Sequence, residues 1–314
     1  MTKLAPLICA LACTVAWCSA AQLPEALAVI ESLSADETAM VEAAHSFYTQ
    51  SKTLLEWDQA LLADHIAADQ RELAKAKQAE IKRRTELMET AWTYVLSVHQ
   101  NNAVANNYYG EFLYDYQKDE RKGFQHWMKA VKIDDDLHRA HNNLGIHYFH
   151  YDDIPKGLQH LTKALKLDPK NPDYLFNAAQ MYLNFFPQLQ EELGLTKPRL
   201  YKKAMTFSRD ARRYGEDDYT LYKDYALNFW AGKNLGVKVN WVDAAKAWQE
   251  ARKHAPNQAE TLSTLMNEGR AWLLAEKWDN ALEPITEASR IRPGGPAIST
   301  LMKRAKAGAA AGEK

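Results

Sequence analysis

One order of residues recurs five times in this chain, and it constrains the architecture more than any single motif. It is clearest at His141-x2-Leu144-Gly145-x2-Tyr148, followed by Gly157, Leu161, Ala164 and Pro169. Upstream stands Tyr109-Gly110-x2-Leu113, with Gly123, Trp127 and Ala130, and with Asp135 in the proline place. Downstream come Leu175-x2-Ala178-Ala179-x2-Tyr182 with Ala204, Ser208 and Ala211, and Tyr222-x2-Tyr225-Ala226-x2-Phe229 with Ala244, Trp248, Ala251 and Pro256. The last is Leu265-x2-Glu268-Gly269-x2-Trp272, with Ala281, Ile285, Ala288 and Pro293. A period of roughly 34 residues holds two helices and a turn, which cannot bury an apolar face alone, so neighbouring units must stack. Small residues such as Gly145, Gly157 and Ala164 let antiparallel helices approach, while Leu144, Tyr148 and Leu161 fill the space between them. Pro169 ends the second helix. Composition agrees: Gly and Pro number only 13 and 11 in 314 residues, and β-branched runs are nearly absent, as expected of an all-helical protein.

This order resembles that of tetratricopeptide repeat (TPR) proteins, over roughly residues 103–295. The resemblance implies an all-α, right-handed α-solenoid of about five helix-turn-helix repeats, spanning residues 101–296, with an N-terminal helical cap. Two departures stand out. Ala204 follows Tyr182 by 22 residues where Gly157 follows Tyr148 by nine, and the excess reads "NFFPQLQEELGLTKPRL" (184–200). Ala244 follows Phe229 by 15, through "AGKNLGVKVNW" (231–241). Both insertions fall at the turn of consecutive repeats, so they are expected to project from one edge, near each other. Such turns are either part of a binding face or elongations that loop-closure entropy penalises weakly. Exposed Phe185, Phe186 and Trp241 favour a binding face.

The flanks read differently. Met1-Thr2-Lys3 is a short basic start, Leu4–Trp17 is apolar, and Ser19-Ala20-Ala21 supplies small residues, so residues 1–21 are expected to be a cleaved signal peptide. All three cysteines (Cys9, Cys13, Cys18) lie inside that segment, which leaves the mature chain without a disulfide framework or a thiol site. A lipid anchor at Cys13 is the less favoured alternative, because its apolar core would be short. The mature chain is expected outside the cytoplasm, periplasmic or extracellular. Residues 22–100 are helical without matching the repeat, with Ser34-Ala35-Asp36-Glu37 as a capping box and Lys82-Arg83-Arg84 as a solvated face. At the other end, residues 297–314 hold a short capping helix, 297–307, and a frayed tail.

Chemistry is sparse. Charge is balanced, 39 basic against 40 acidic residues, which suggests neither a nucleic-acid footprint nor a polybasic membrane patch. The stretch "HRAHNNLGIHYFHYDD" (138–153) invites a metal site. At about 100° per residue, however, His138/His141 and His147/His150 point to nearly opposite sides of one helix. His141 and His147 are expected to face neighbouring helices and His150 the inner groove, by analogy with the family. No metal, cofactor or catalytic residue is expected; H-E-x-x-H, G-x-S-x-G and P-loop patterns are missing from the sequence. The residues two before each repeat's Gly or Ala are Tyr108, Asn143, Asn177, Asp224 and Asn267. In related proteins such positions line a concave groove, where Asn can hydrogen-bond an extended peptide's backbone through both amide donor and acceptor. The resemblance therefore implies a non-catalytic protein that binds a protein or peptide partner through Asn142, Asn143, Asn177, Asn267 and Arg270, with Trp230 and Tyr108 as apolar anchors. It would serve as adaptor or assembly factor, with a membrane-associated complex as one setting for that role. Two other readings stay open: an architectural subunit that uses edges and loops, and a histidine-dependent metal- or small-ligand-binding protein.

Overall fold

The structure, a computed structural model, describes residues 23–312. The expected signal peptide and its cysteines, Cys13 among them, lie outside the described residues. Fifteen α-helices and no strand are found among the described residues. They divide into two compact units, one ending at Leu144 and the other beginning at Gly145, so that the division falls inside one helix.

The first unit begins with α1 (Leu23–Ser32), α2 (Glu37–Ala67) and α3 (Arg71–Val98). The repeats then start with α4 (Ala103–Asp115) and α5 (Glu120–Ile133), and α6 (His138–His150) enters from its N-terminal half. Helix α2 starts at Asp36, whose carboxylate accepts the Ala39 N–H at 3.1 Å. The cap is therefore Asp36 rather than the Ser34 of the expected box. Met40, Tyr48, Met88, Trp92 and Val95 pack with Tyr108, Phe112 and Leu113 in one apolar core. The N-terminal helices thus share a core with the first repeat and cover its otherwise open side.

Between Leu55 and Arg84 the α2/α3 hairpin buries no residue. Its polar register is set by Asp58, which takes Lys77 at 3.0 Å and Arg84 at 3.4 Å. Arg84 is buried, so only Lys82 and Arg83 of the basic triplet belong to a solvated face. The reason is the hairpin register, which brings Asp58 opposite Arg84.

The second unit continues with α7 (Ile154–Leu167), α8 (Pro172–Asn184), α9 (Phe186–Leu193), α10 (Lys197–Tyr214), α11 (Tyr219–Asn234), α12 (Trp241–Lys253), α13 (Gln258–Leu274), α14 (Trp278–Ile291) and α15 (Pro296–Gly312). Polar side chains cap the first helices: Asn171 accepts from Asp173 and Tyr174 N–H groups, Asp218 from that of Thr220, and Asn257 from that of Glu260. Small residues act as the spacing implies. A Cβ at Gly145 would stand 3.0 Å from the Leu161 backbone nitrogen, so the two helix backbones are nearly in contact.

Two expectations are corrected here. The insertion 184–200 is not a projecting turn with exposed aromatics. It forms α9, whose Phe186 and Leu189 are fully buried against α7, α8 and α10, while Phe185 is half-buried against Phe149 at 5.4 Å. An aromatic-rich insertion lowers its free energy most by joining the core, and this one is long enough for two helical turns. Nor does the last helix stop at residue 307: α15 runs to Gly312, because Gly308 lets it lie directly on the Trp278 ring.

Candidate functional site

The candidate groups sit on the first helix of each repeat. In the first unit, Asn107 and Glu111 lie one turn apart on α4, and Asn143 lies on α6. Asn143 Nδ2 donates to Asn107 Oδ1 at 3.2 Å and to Glu111 Oε1 at 2.9 Å, and Asn107 Nδ2 donates to the same carboxylate oxygen at 2.9 Å. Burial pushes the Glu111 carboxyl above its ordinary range, opposed by these two amide donors and by Lys52 nearby. Beside this cluster, exposed Arg139 donates to the Tyr108 hydroxyl and lies 5.5 Å from its ring centroid. The Tyr108 ring is stacked on His45 at 4.2 Å and Trp92 at 5.5 Å.

Tyr108 is 6 % exposed, so it supports Arg139 from below and offers no free apolar face. Asn142 is also buried; it faces into the protein, with only Asn143 of the pair on the accessible side. Neither position suits the groove role expected of it: Asn142 lies about 100° round the helix from Asn143, whereas Tyr108 shares the register of Asn143 but is covered by His45 and Trp92 of the N-terminal helices.

The second unit has its own polar connections between repeats. Gln180 Nε2 donates to Asp224 Oδ1 at 2.7 Å, and Asp224 Oδ2 accepts from Ser208 Oγ and Asn228 Nδ2. Burial raises the Asp224 carboxyl, while these donors hold it down. Further on, Lys223 Nζ and the Tyr219 hydroxyl both donate to Glu260, at 2.9 and 2.7 Å. Asn177 is half-buried on α8. Asn267 is half-buried and receives exposed Arg270 on its Oδ1 at 3.1 Å. Trp230 is half-buried, 4.7 Å from Trp241 of the second elongated turn, with Lys233 Nζ about equidistant from both rings at 6.0 and 5.9 Å. Trp241, Val239 and Val242 line a shallow open depression with Lys238, Asn240 and Ala275.

His141 is buried, 2.9 Å from the Asp135 carbonyl; His147 is buried beside Tyr151; His150 is exposed, edge-on to Phe185. Among the described residues, no three His, Cys, Asp or Glu side chains converge where a metal ion would fit. No helix among them is long and apolar enough to cross a membrane. What the sequence did not reveal is the pairing of polar side chains across repeats, because that requires knowing which helix faces meet.

No protein-family model matches the chain, and no curated protein matches it significantly. Among solved structures, the C-terminal part of a TPR repeat-containing protein from Cytophaga hutchinsonii aligns at 13% identity. The alignment covers 81% of this chain and 99% of that one, with a TM-score of 0.50. The fold is the TPR fold. YrrB, described as a TPR protein with an unusual peptide-binding site, aligns at 17% identity over 68% of this chain and 98% of its own, with a TM-score of 0.48. PilW, a type IV pilus biogenesis factor, aligns at 13% over 79% and 98%, with a TM-score of 0.47. At these identities the likeness concerns the TPR fold alone.

Proposed function

We propose that this chain is a non-catalytic protein-interaction scaffold that binds an extended segment of a partner along the polar faces of its repeats' first helices. One observation carries the reading: consecutive first helices are joined by hydrogen-bonded side chains, Asn107–Asn143–Glu111 in one unit and Gln180–Asp224 and Lys223–Glu260 in the other. A packed helical array needs apolar contacts at such places, and buried polar groups are costly unless paired. Retained and paired, they present fixed donors and acceptors to a peptide, which lowers the ordering cost of binding. Asn143, Asn177, Asn267 and Arg270 are the side chains assigned to the partner.

The chain acts as an adaptor or assembly factor outside the cytoplasm, after removal of residues 1–21. The test is a pull-down from envelope extract with the mature chain beside Asn143→Ala/Asn177→Ala and Trp241→Ala variants. A partner captured by wild type and lost by the folded Asn variant supports the groove. Capture unchanged by the Asn variant but lost with Trp241→Ala moves the interface to the elongated turn, as for an architectural subunit that docks by its edge. N-terminal sequencing of the chain from its source reports on export, with a start at Gln22 or Ala21 expected and a retained Met1 contradicting it.

A further inference from the structure

Helix α10 carries seven cations, Lys197, Arg199, Lys202, Lys203, Arg209, Arg212 and Arg213, against one acid, Asp210. This is the helix that follows the first insertion, in a chain whose formal net charge is only −1. At about 100° per residue, Arg199, Lys202, Lys203, Arg209 and Arg213 fall within roughly 120° of arc. All five are exposed. The opposite face, Leu200, Tyr201, Ala204, Ser208 and Ala211, is buried, so the cations point squarely outward.

The arrangement works against the helix that bears it. Lys197 and Arg199 stand in the first turn, where the helix dipole favours acids and none is present. Arg199/Lys203 and Arg209/Arg213 are like-charge pairs at i,i+4, which destabilise a helix. Little on the molecule relieves this. Arg209 pairs with Asp210, and Lys203 and Arg213 lie over the rings of Tyr182 and Tyr214. Among the described residues, the side chains of Arg199 and Lys202 make no ion pair.

We infer that the outward face of α10 is a second docking surface, distinct from the Asn-bearing faces, and that its partner is an acidic polypeptide segment rich in Asp and Glu. Charge complementarity selects an anion. The absence of any large apolar exposed side chain on α10 argues against a bilayer, because helices that lie in a membrane interface add apolar side chains to their cations. Spaced guanidinium and ammonium groups on one rigid face suit carboxylates spaced along an extended chain.

The experiment measures binding of a fluorescent twelve-residue glutamate peptide to the full chain by anisotropy, at 50 and 200 mM NaCl. Parallel arms use phosphatidylcholine vesicles with 30% phosphatidylglycerol and a 20-base-pair DNA duplex. The variant is Arg199→Gln/Lys202→Gln/Arg209→Gln, with Lys303→Gln/Arg304→Gln/Lys306→Gln on α15 as a cation-matched control. The expected result is peptide binding that falls at least about tenfold in the triple variant and at the higher salt, and is unchanged in the control. Asn143→Ala/Asn177→Ala also leaves it unchanged, so this surface and the proposed groove fail or succeed separately. Peptide binding equal in wild type and triple variant overturns the inference. So does a response confined to vesicles or duplex, which would assign the face to a membrane or a nucleic acid. Should the triple variant not fold, Lys202→Gln alone must weaken peptide binding about threefold, and an unchanged affinity then refutes it.

Discussion

Glu268 stands where the clearest copy of the repeat has Leu144, directly before the Gly of its helix, and it is 1 % exposed. Its counter-ion is Arg252 of α12, whose Nε lies 3.5 Å from Glu268 Oε2. That guanidinium is shared: Glu287 of α14 takes it at 2.6 Å and Glu283 lies at 4.0 Å. Desolvation therefore outweighs attraction, and the Glu268 carboxyl is pushed up to about 7 from 4.5. An acid whose folded-state pKa is raised favours folding while protonated. Its contribution is complete below the unfolded value near 4.5 and disappears as pH rises through about 7. The full span is ~3.4 kcal/mol at 1.36 kcal/mol per pH unit, and between pH 5 and pH 8 the loss is ~2.5 kcal/mol. Glu268→Gln keeps the shape and removes the titration. Urea midpoints at pH 5, 6, 7 and 8 for both proteins give the difference directly, and other titrating groups, such as His45 and Asp224, cancel between them. The variant should gain on wild type steadily as pH rises, by roughly 2–3 kcal/mol at pH 8 relative to pH 5. Parallel curves, agreeing within ~0.5 kcal/mol across the range, would falsify the account and mean that Arg252 fully compensates the buried charge.

Three further predictions concern packing. Gly145→Ala places a methyl 3.0 Å from the Leu161 backbone nitrogen, which cannot rotate away, so denaturant unfolding should show a loss of about 1–3 kcal/mol. Leu189→Ala tests whether the insertion belongs to the core: a fully buried Leu should cost about 2–5 kcal/mol, whereas a neutral surface turn would register almost nothing. Asn171→Ala removes a cap that accepts two backbone N–H groups and should lower stability by about 1 kcal/mol, with Asn171→Gly recovering most of it.

The periodic residues made the helix pairs legible because each does the same job in every repeat. Gly145 against Leu161 and Gly269 against Ile285 are contacts that spacing alone identifies. The insertions were legible as insertions, but not as structure. Phe186 is buried in a cluster that also holds Ile154, Leu200 and Tyr201 from other helices, and no local pattern in "NFFPQLQ" encodes that packing. The same limit applies to Arg84, whose partner Asp58 is set by the register of a long hairpin. The candidate site divides similarly. Spacing locates Asn143 and Asn267 on accessible faces, yet a single step in register buries Asn142, and the stacking of Tyr108 between His45 and Trp92 arises from helices outside the repeat.

A balanced total charge excludes less in a helical array than in a chain with one shared surface. Each helix here presents one face to solvent, so the sum over the sequence averages faces that no partner meets together. Helix α2 carries Glu37, Glu42, Glu56, Asp58 and Asp64 against Lys52 alone, whereas α10 carries seven cations against one acid. Both extremes vanish in a net charge of −1. At the Debye length of about 8 Å in physiological salt, a partner on one helix face senses the charges of that face and little beyond. Electrostatic recognition by this protein is therefore set helix by helix, and the near-neutral total governs only its solubility.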